Sequence, residues 1–188
     1  MHFSLCDLAA DIAQNAAESG ASVLEADLVE TDRMFRFAIV DDGKGMTEIQ
    51  LERAKDPFHT DGKKHPNRKV GLGIPFLIQT ATQSGGGWDI RSRPGAGTTV
   101  EASFDLGNID APPVGDVPGL LRTILLFEGP SEMVLRRSYE GRRGKTGYEV
   151  RKTELVEALG GLAYAGDLVL LDTYLRSLEE CDDEAATE

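Results

Sequence analysis

The stretch from Phe37 to Met46, FAIVDDGKGM, constrains the fold more than any other part of the chain. An apolar run ends in Asp41-Asp42, and Gly43 and Gly45 follow within four positions. Such a pattern describes a strand that delivers a carboxylate to the floor of a pocket. The glycines let the backbone turn away without a side chain filling the space. Taken alone, Asp-x-Gly-x-Gly is a weak signal, and a plain turn after an edge strand is the simpler reading.

The neighbouring segments change that balance. Upstream, residues 4–19 have the periodicity of an amphipathic helix, with Leu5, Leu8, Ile12 and Ala16 on the core stripe and Cys6 and Ala9 beside it. Ser4 and Asp7 have the spacing of a capping box with Asp in place of Glu, and Gly20 is placed to stop the helix. Asp11, Asn15 and Glu18 fall at i, i+4 and i+7, on one helical face. Alternation over residues 22–30 and 34–40 predicts an antiparallel hairpin ending at Asp41. Thr47 caps a short predicted helix, Glu48–Lys55. Further on, Gly71-Leu72-Gly73 opens a predicted helix, Ile74–Ser84, after a basic, His-containing segment. Amides at a helix start form an anion site, and the glycines allow close backbone approach. A dinucleotide-binding Gly motif does not fit, because no strand precedes it and the third glycine is absent. Trp88–Arg93 and Thr98–Leu106 form the last predicted hairpin, turning at Pro94–Gly97.

Four motifs in this order resemble the GHKL ATPase superfamily, the group of gyrase B, Hsp90, histidine kinases and MutL. The resemblance covers roughly residues 2–106. It implies a two-layer α/β (α+β) sandwich of the Bergerat type, with a mixed, mostly antiparallel sheet and helices on one face, binding ATP and Mg2+. By the same resemblance, Asn15 ligates the metal through a neutral amide oxygen. Asp41 accepts from the adenine amino group, with Gly43, Gly45 and Met46 around the base. Lys69, Gly71, Leu72 and Gly73 meet the phosphates, and the Thr98 hydroxyl supports the adenine site. DIAQNAAESGAS is similar to the MutL version of the first motif, but Asp11 stands where hydrolysing members carry a Glu general base. Asp is a competent base, one methylene shorter. Asp56-Pro57-Phe58-His59-Thr60 resembles the F-box of histidine kinases, and the polar segment to Arg68, with Lys63 and Lys64, the ATP lid. Taken singly, Asn15 reads as solvated helix face, each lid cation as an exposed loop charge, Met46 as a core residue and Thr98 as a turn residue. The ordered set turns them into site candidates.

Beyond residue 107 no catalytic motif is evident. Residues 108–118 read as a linker or covering loop, 119–180 as a small α+β C-terminal appendage and 181–188 as an acidic tail. Within the appendage, Leu120–Phe127 and Glu132–Arg137 read as strands about a turn at Glu128–Ser131, Arg142–Thr146 as a basic loop, and Tyr148–Lys152 as a strand. Thr153 caps a helix through Leu159, and Leu168–Leu178 forms another. Arg136, Arg137, Arg142, Arg143 and Lys145 read as an acidic-partner surface or a solvated hairpin.

A formal net charge of −12 over 188 residues argues against general nucleic-acid or membrane-surface binding. Two distant cysteines, the lack of a signal peptide and the absence of a long apolar run point to a soluble cytoplasmic protein. The first motif helix begins at residue 4, which leaves no room ahead of it for the phosphoacceptor hairpin of histidine kinases. The expected partner is therefore a separate protein, with a homodimer as a further option. Three routes stay open: a stand-alone kinase resembling anti-sigma-factor kinases, an ATP-driven switch of the MutL and Hsp90 type, or a module that binds ATP without consuming it.

Overall fold

The computed structural model describes residues 4–57 and 72–180. They form one six-stranded sheet in the order β3-β4-β2-β1-β5-β6. The strands are β1 (Val23–Thr31), β2 (Met34–Asp41), β3 (Gly87–Ser92), β4 (Thr98–Asp105), β5 (Glu132–Gly141) and β6 (Gly144–Arg151). Every pairing is antiparallel except β1 with β5. The helices are α1 (Leu5–Ala17), α2 (Glu48–Lys55), α3 (Gly73–Gln83), α4 (Val117–Leu125), α5 (Lys152–Leu159) and α6 (Ala165–Leu178). This is the mixed, mostly antiparallel two-layer α+β sandwich expected from the sequence.

Period-two alternation sorts the sheet into two faces. Ala26 and Leu28 of β1 pair with Ile39 and Phe37 of β2, which pair in turn with Val100 and Ala102 of β4; these residues and Leu24, Phe35 and Phe104 on the same face are buried against the helices. Phe35, Phe37 and Phe104 pack with ring centroids 6.0–6.5 Å apart. Burying one such ring contributes about 2–3 kcal/mol. The opposite face carries cross-strand ion pairs, among them Arg36–Glu101 at 3.0 Å and Arg136–Glu149 at 2.7 Å. Alternating charges there keep the open face soluble.

Helix α1 lies at the centre of the covering layer. Its buried stripe of Leu5, Leu8, Ala9, Ile12, Ala13 and Ala16 has helical spacing. Ser4 caps it by accepting the Asp7 N–H at 3.1 Å. The Leu5 and Cys6 amides, which the helix itself leaves unmatched, donate to the carbonyls of Pro113 and Val114. The 108–118 segment therefore covers the helix start.

The C-terminal region shares the main sheet through the parallel β1–β5 ladder. Four local expectations in it are corrected. Leu120–Phe127 is not a strand: Val117, Leu120, Leu121, Ile124 and Leu125 lie on one buried helical face, with Pro118 in the first turn of α4. Glu128–Ser131 thus leads from a helix into β5. Arg142 and Arg143 form the tight connection between β5 and β6, and Thr146 lies inside β6. Thr153 lies inside α5, whose N-cap is Arg151; its hydroxyl donates to Glu132 at 2.6 Å. Among the described residues, no helix is long and apolar enough to cross a membrane.

Candidate nucleotide-binding site

The alternation that buries Phe37 and Ile39 carries one position further, to Asp41, and points its carboxylate into the same interior. Asp41 is 6% exposed. Its Oδ1 accepts the Ser19 hydroxyl at 3.0 Å and the Gly43 N–H at 2.9 Å. Among the described residues no cation pairs with it. Burial pushes its pKa above the ordinary value. The Gly43 N–H, the Ser19 hydroxyl and the Thr98 N–H pull it back, while neighbouring Asp42 adds to the rise. Asp42 itself is exposed and structural, accepting the Ser22 and Val23 amides at 2.7 and 2.9 Å and so holding the start of β1.

Both glycines after Asp41 are there for space. A Cβ on Gly43 would overlap the Ser19 hydroxyl and crowd the Asp41 carboxylate. Gly45 has φ +60°, and a Cβ there would overlap the Arg93 carbonyl. This close approach lets the β3–β4 turn lock onto the loop: Gly95 N–H donates to Lys44 O at 2.8 Å and Met46 N–H to Ser92 Oγ at 2.9 Å. Ser92 Oγ also lies 2.9 Å from Thr98 Oγ1, which fixes the Thr98 side chain beside the floor.

A cavity of about 330 Å3 opens above Asp41. Its floor is Ile39, Asp41, Thr98 and Val100; one wall is α1 with Ile12, Asn15 and Ala16; Gly45, Met46, Ala54 and Ile74 close the other sides. This is within the usual volume range of small-molecule sites, about 300–1,000 Å3. Helix α3 begins at the mouth with Leu72 as N-cap, which makes no side-chain capping bond. A Cβ on Gly73 would sit 3.6 Å from Asn15 Nδ2 and 3.7 Å from Asp11 Cβ. The α3 start is therefore packed directly against the turn of α1 that carries Asp11 and Asn15.

Of the residues expected from the sequence, Asn15, Asp41, Gly45, Met46 and Thr98 line this one cavity. Gly43 abuts the Asp41 carboxylate, while Asp11, Leu72 and Gly73 are not among the lining residues, Gly73 packing against Asn15 and Asp11 from the start of α3. Lys69, Gly71 and the lid residues Phe58 to Arg68 lie outside the described residues. Ser19 is a participant that the sequence reading overlooked. Its signal was its place four residues after Asn15, continuing the Asp11–Asn15 stripe. Among the described residues no cluster of three or more His, Cys, Asp or Glu could hold a metal. Among the described residues, Asn15 offers a neutral amide oxygen to the cavity, a donor that together with ligand oxygens would suit Mg2+. Cys6 is buried, which pushes its thiol up to about 12.

A solved structure of the N-terminal domain of a DNA repair protein is similar to this chain, with a TM-score of 0.50 at 13% identity. The match covers 88% of this chain and 58% of that one, so the two share a fold. The family model of the histidine kinase-, DNA gyrase B- and HSP90-like ATPases matches residues 4–108, from the cap of α1 to just past the end of β4. That span holds the carboxylate, the glycine loop, the α1 stripe and the α3 start in one frame. By motif order and by fold, the chain belongs to this ATP-binding family.

Proposed function

We propose that the protein binds ATP with Mg2+ and directs phosphoryl chemistry at the mouth of the α1–α3 cavity, acting with a separate protein partner. The observation that carries this reading is Asp41. A buried carboxylate whose hydrogen-bond donors among the described residues are all neutral is costly unless a ligand completes it, and a ligand amino group does so. Guanine offers a carbonyl in place of adenine's amino group, which would leave the charge unmatched, so the site favours ATP.

With the base at Asp41 and the phosphates toward the α3 start, the amide oxygen of Asn15 would hold the Mg2+, which would supply positive charge against the phosphates. The helix dipole and the N-terminal amides of α3 would add an anion site for the phosphates. Asp11 is one turn back along α1, beside Gly73. There its carboxylate would take the proton of an attacking hydroxyl, from water or from a partner side chain, as that oxygen bonds the γ-phosphorus and the bond to the β–γ bridging oxygen breaks to release ADP.

A second reading, hydrolysis as a conformational switch, is favoured by one feature. Asp42, next to the base-reading Asp41, holds Ser22 and Val23, and the Ser22 carbonyl accepts the amides of Ser131 and Glu132 at the start of β5. The site loop is thus bonded through β1 to the C-terminal region.

The test is Mg-ATP turnover by the purified chain beside a binding titration. Binding with phosphate release that is lost in Asp11→Asn supports the switch. Binding without release, with radiolabel passing to a co-purified protein, supports the kinase. Failure to bind ATP contradicts both.

A further inference from the structure

We propose that Ser19 is a positioning residue for base recognition, its hydroxyl fixing the Asp41 carboxylate in the orientation that reads adenine and tying it to the helix that carries Asn15. The proposal rests on the roles given above to Asp41 and Asn15.

Ser19 lies just past the end of α1, and its main chain is held on both sides. Its N–H donates to Ala16 O at 3.1 Å, and its carbonyl accepts the Lys44 N–H at 3.2 Å. With the backbone pinned, the hydroxyl reaches Asp41 Oδ1 at 3.0 Å. The same oxygen accepts the Gly43 N–H. A carboxylate turns easily about its last torsion, so two donors on one oxygen define which edge is left for a ligand. Ser19 and Gly43 form a matched pair, because the serine hydroxyl occupies the volume a side chain at 43 would need. Ser19 also lines the cavity itself.

Among the described residues, the ionisable groups around Asp41 are Asp42 beside it, Glu18 on the α1 side and Lys44 on the loop. From α3 and β4 the described wall residues are Ile74, Thr98 and Val100, none of them ionisable. Burial and Asp42 push the carboxylate up, and the Ser19 hydroxyl is one of three donors that hold it down. Removing that hydroxyl therefore moves Asp41 further up.

The experiment measures Mg-ATP and Mg-GTP affinity between pH 5 and 8 for the full chain, Ser19→Ala and Asp41→Asn, with a thermal melt of each without nucleotide. Loss of one charge-assisted hydrogen bond weakens ATP by about tenfold in Ser19→Ala. GTP affinity stays as in the parent, the acid limb of the ATP profile moves to higher pH, and the melt stays near the parent's. Parent-like ATP affinity and acid limb in Ser19→Ala, with binding lost in Asp41→Asn, overturn the role of Ser19 and leave Asp41 standing. Equal weakening of ATP and GTP overturns it as well, because the hydroxyl is then shaping the pocket rather than orienting the carboxylate. Parent-like binding by Asp41→Asn contradicts the reading of Asp41, and this proposal with it.

Discussion

The sheet buries a charge on either side of β1 and treats the two in opposite ways. On the β2 side Asp41 sits 6% exposed among a hydroxyl and amides, with no cation among the described residues to pair with it. On the other, Arg137 of β5 is 3% exposed and held by two carboxylates, Glu30 at 2.6 Å and Glu179 at 3.1 Å. Burial alone would lower the Arg137 pKa, but Glu179 and Glu30 outweigh it and the net shift is upward. Tyr148 donates to Glu179, and Arg143 reaches Glu30 at 3.2 Å while lying 4.3 Å over the Tyr139 ring. The arginine side is complete and fastens the end of α6 to the sheet. The Asp41 carboxylate is stabilised only in part among the described residues, and under the proposed function a ligand donor would complete it. A buried charge that the fold satisfies is architecture; one that it leaves for a ligand is a site.

The largest expected effect comes from breaking the complete side. Arg137→Ala leaves Glu30 and Glu179 without their shared cation and costs about 3–5 kcal/mol, read by urea denaturation. A loss below about 1 kcal/mol would mean that the cluster is solvated and the contrast unreal.

Asp41→Asn is the matching change on the incomplete side. It lowers ATP affinity by about a hundredfold or more without lowering stability. The sign follows from the raised pKa. Asp41 binds its proton more tightly folded than unfolded, so its favourable contribution is present at acidic pH and lost as pH rises through the folded value. At neutral pH the ionised group costs stability, and the variant gains on the parent from pH 4 to pH 7.5. A variant that gains nothing over that range would show Asp41 to be well solvated.

Asn15→Ala is smaller. It weakens Mg-ATP by about tenfold and leaves ATP in EDTA unchanged. A Mg2+ response equal to the parent's removes Asn15 from the metal site. On the open sheet face, Arg36→Ala breaks an exposed pair with Glu101 and shifts stability by no more than about 0.5 kcal/mol.

The nucleotide side was legible because its signals are local. FAIVDDGKGM states strand, carboxylate and turn within ten residues, and the Asp11–Asn15 spacing states a helical face. Ser19 escaped notice because a serine after a helix looks like any turn residue until β2 is folded against it. The C-terminal end was harder. Ile124-Leu125-Leu126-Phe127 is a continuous apolar run that suits a buried strand as well as a helix, and only packing of Leu121 and Leu125 in the helix layer decides between them. The parallel ladder of β1 with β5 joins residues more than 100 apart, such as Val23 and Glu132, and no local pattern announces it. Arg137 shows the same limit. In sequence it belongs to an exposed basic cluster, yet it faces the helix layer because β5 alternates.

The most direct test is calorimetric titration of the parent chain with Mg-ATP and with Mg-GTP. ATP is expected to bind, and GTP at least about a hundredfold more weakly, because guanine has a carbonyl at the ring position where adenine's amino group would donate to Asp41. Equal affinity for the two nucleotides, or no binding of either, would contradict it.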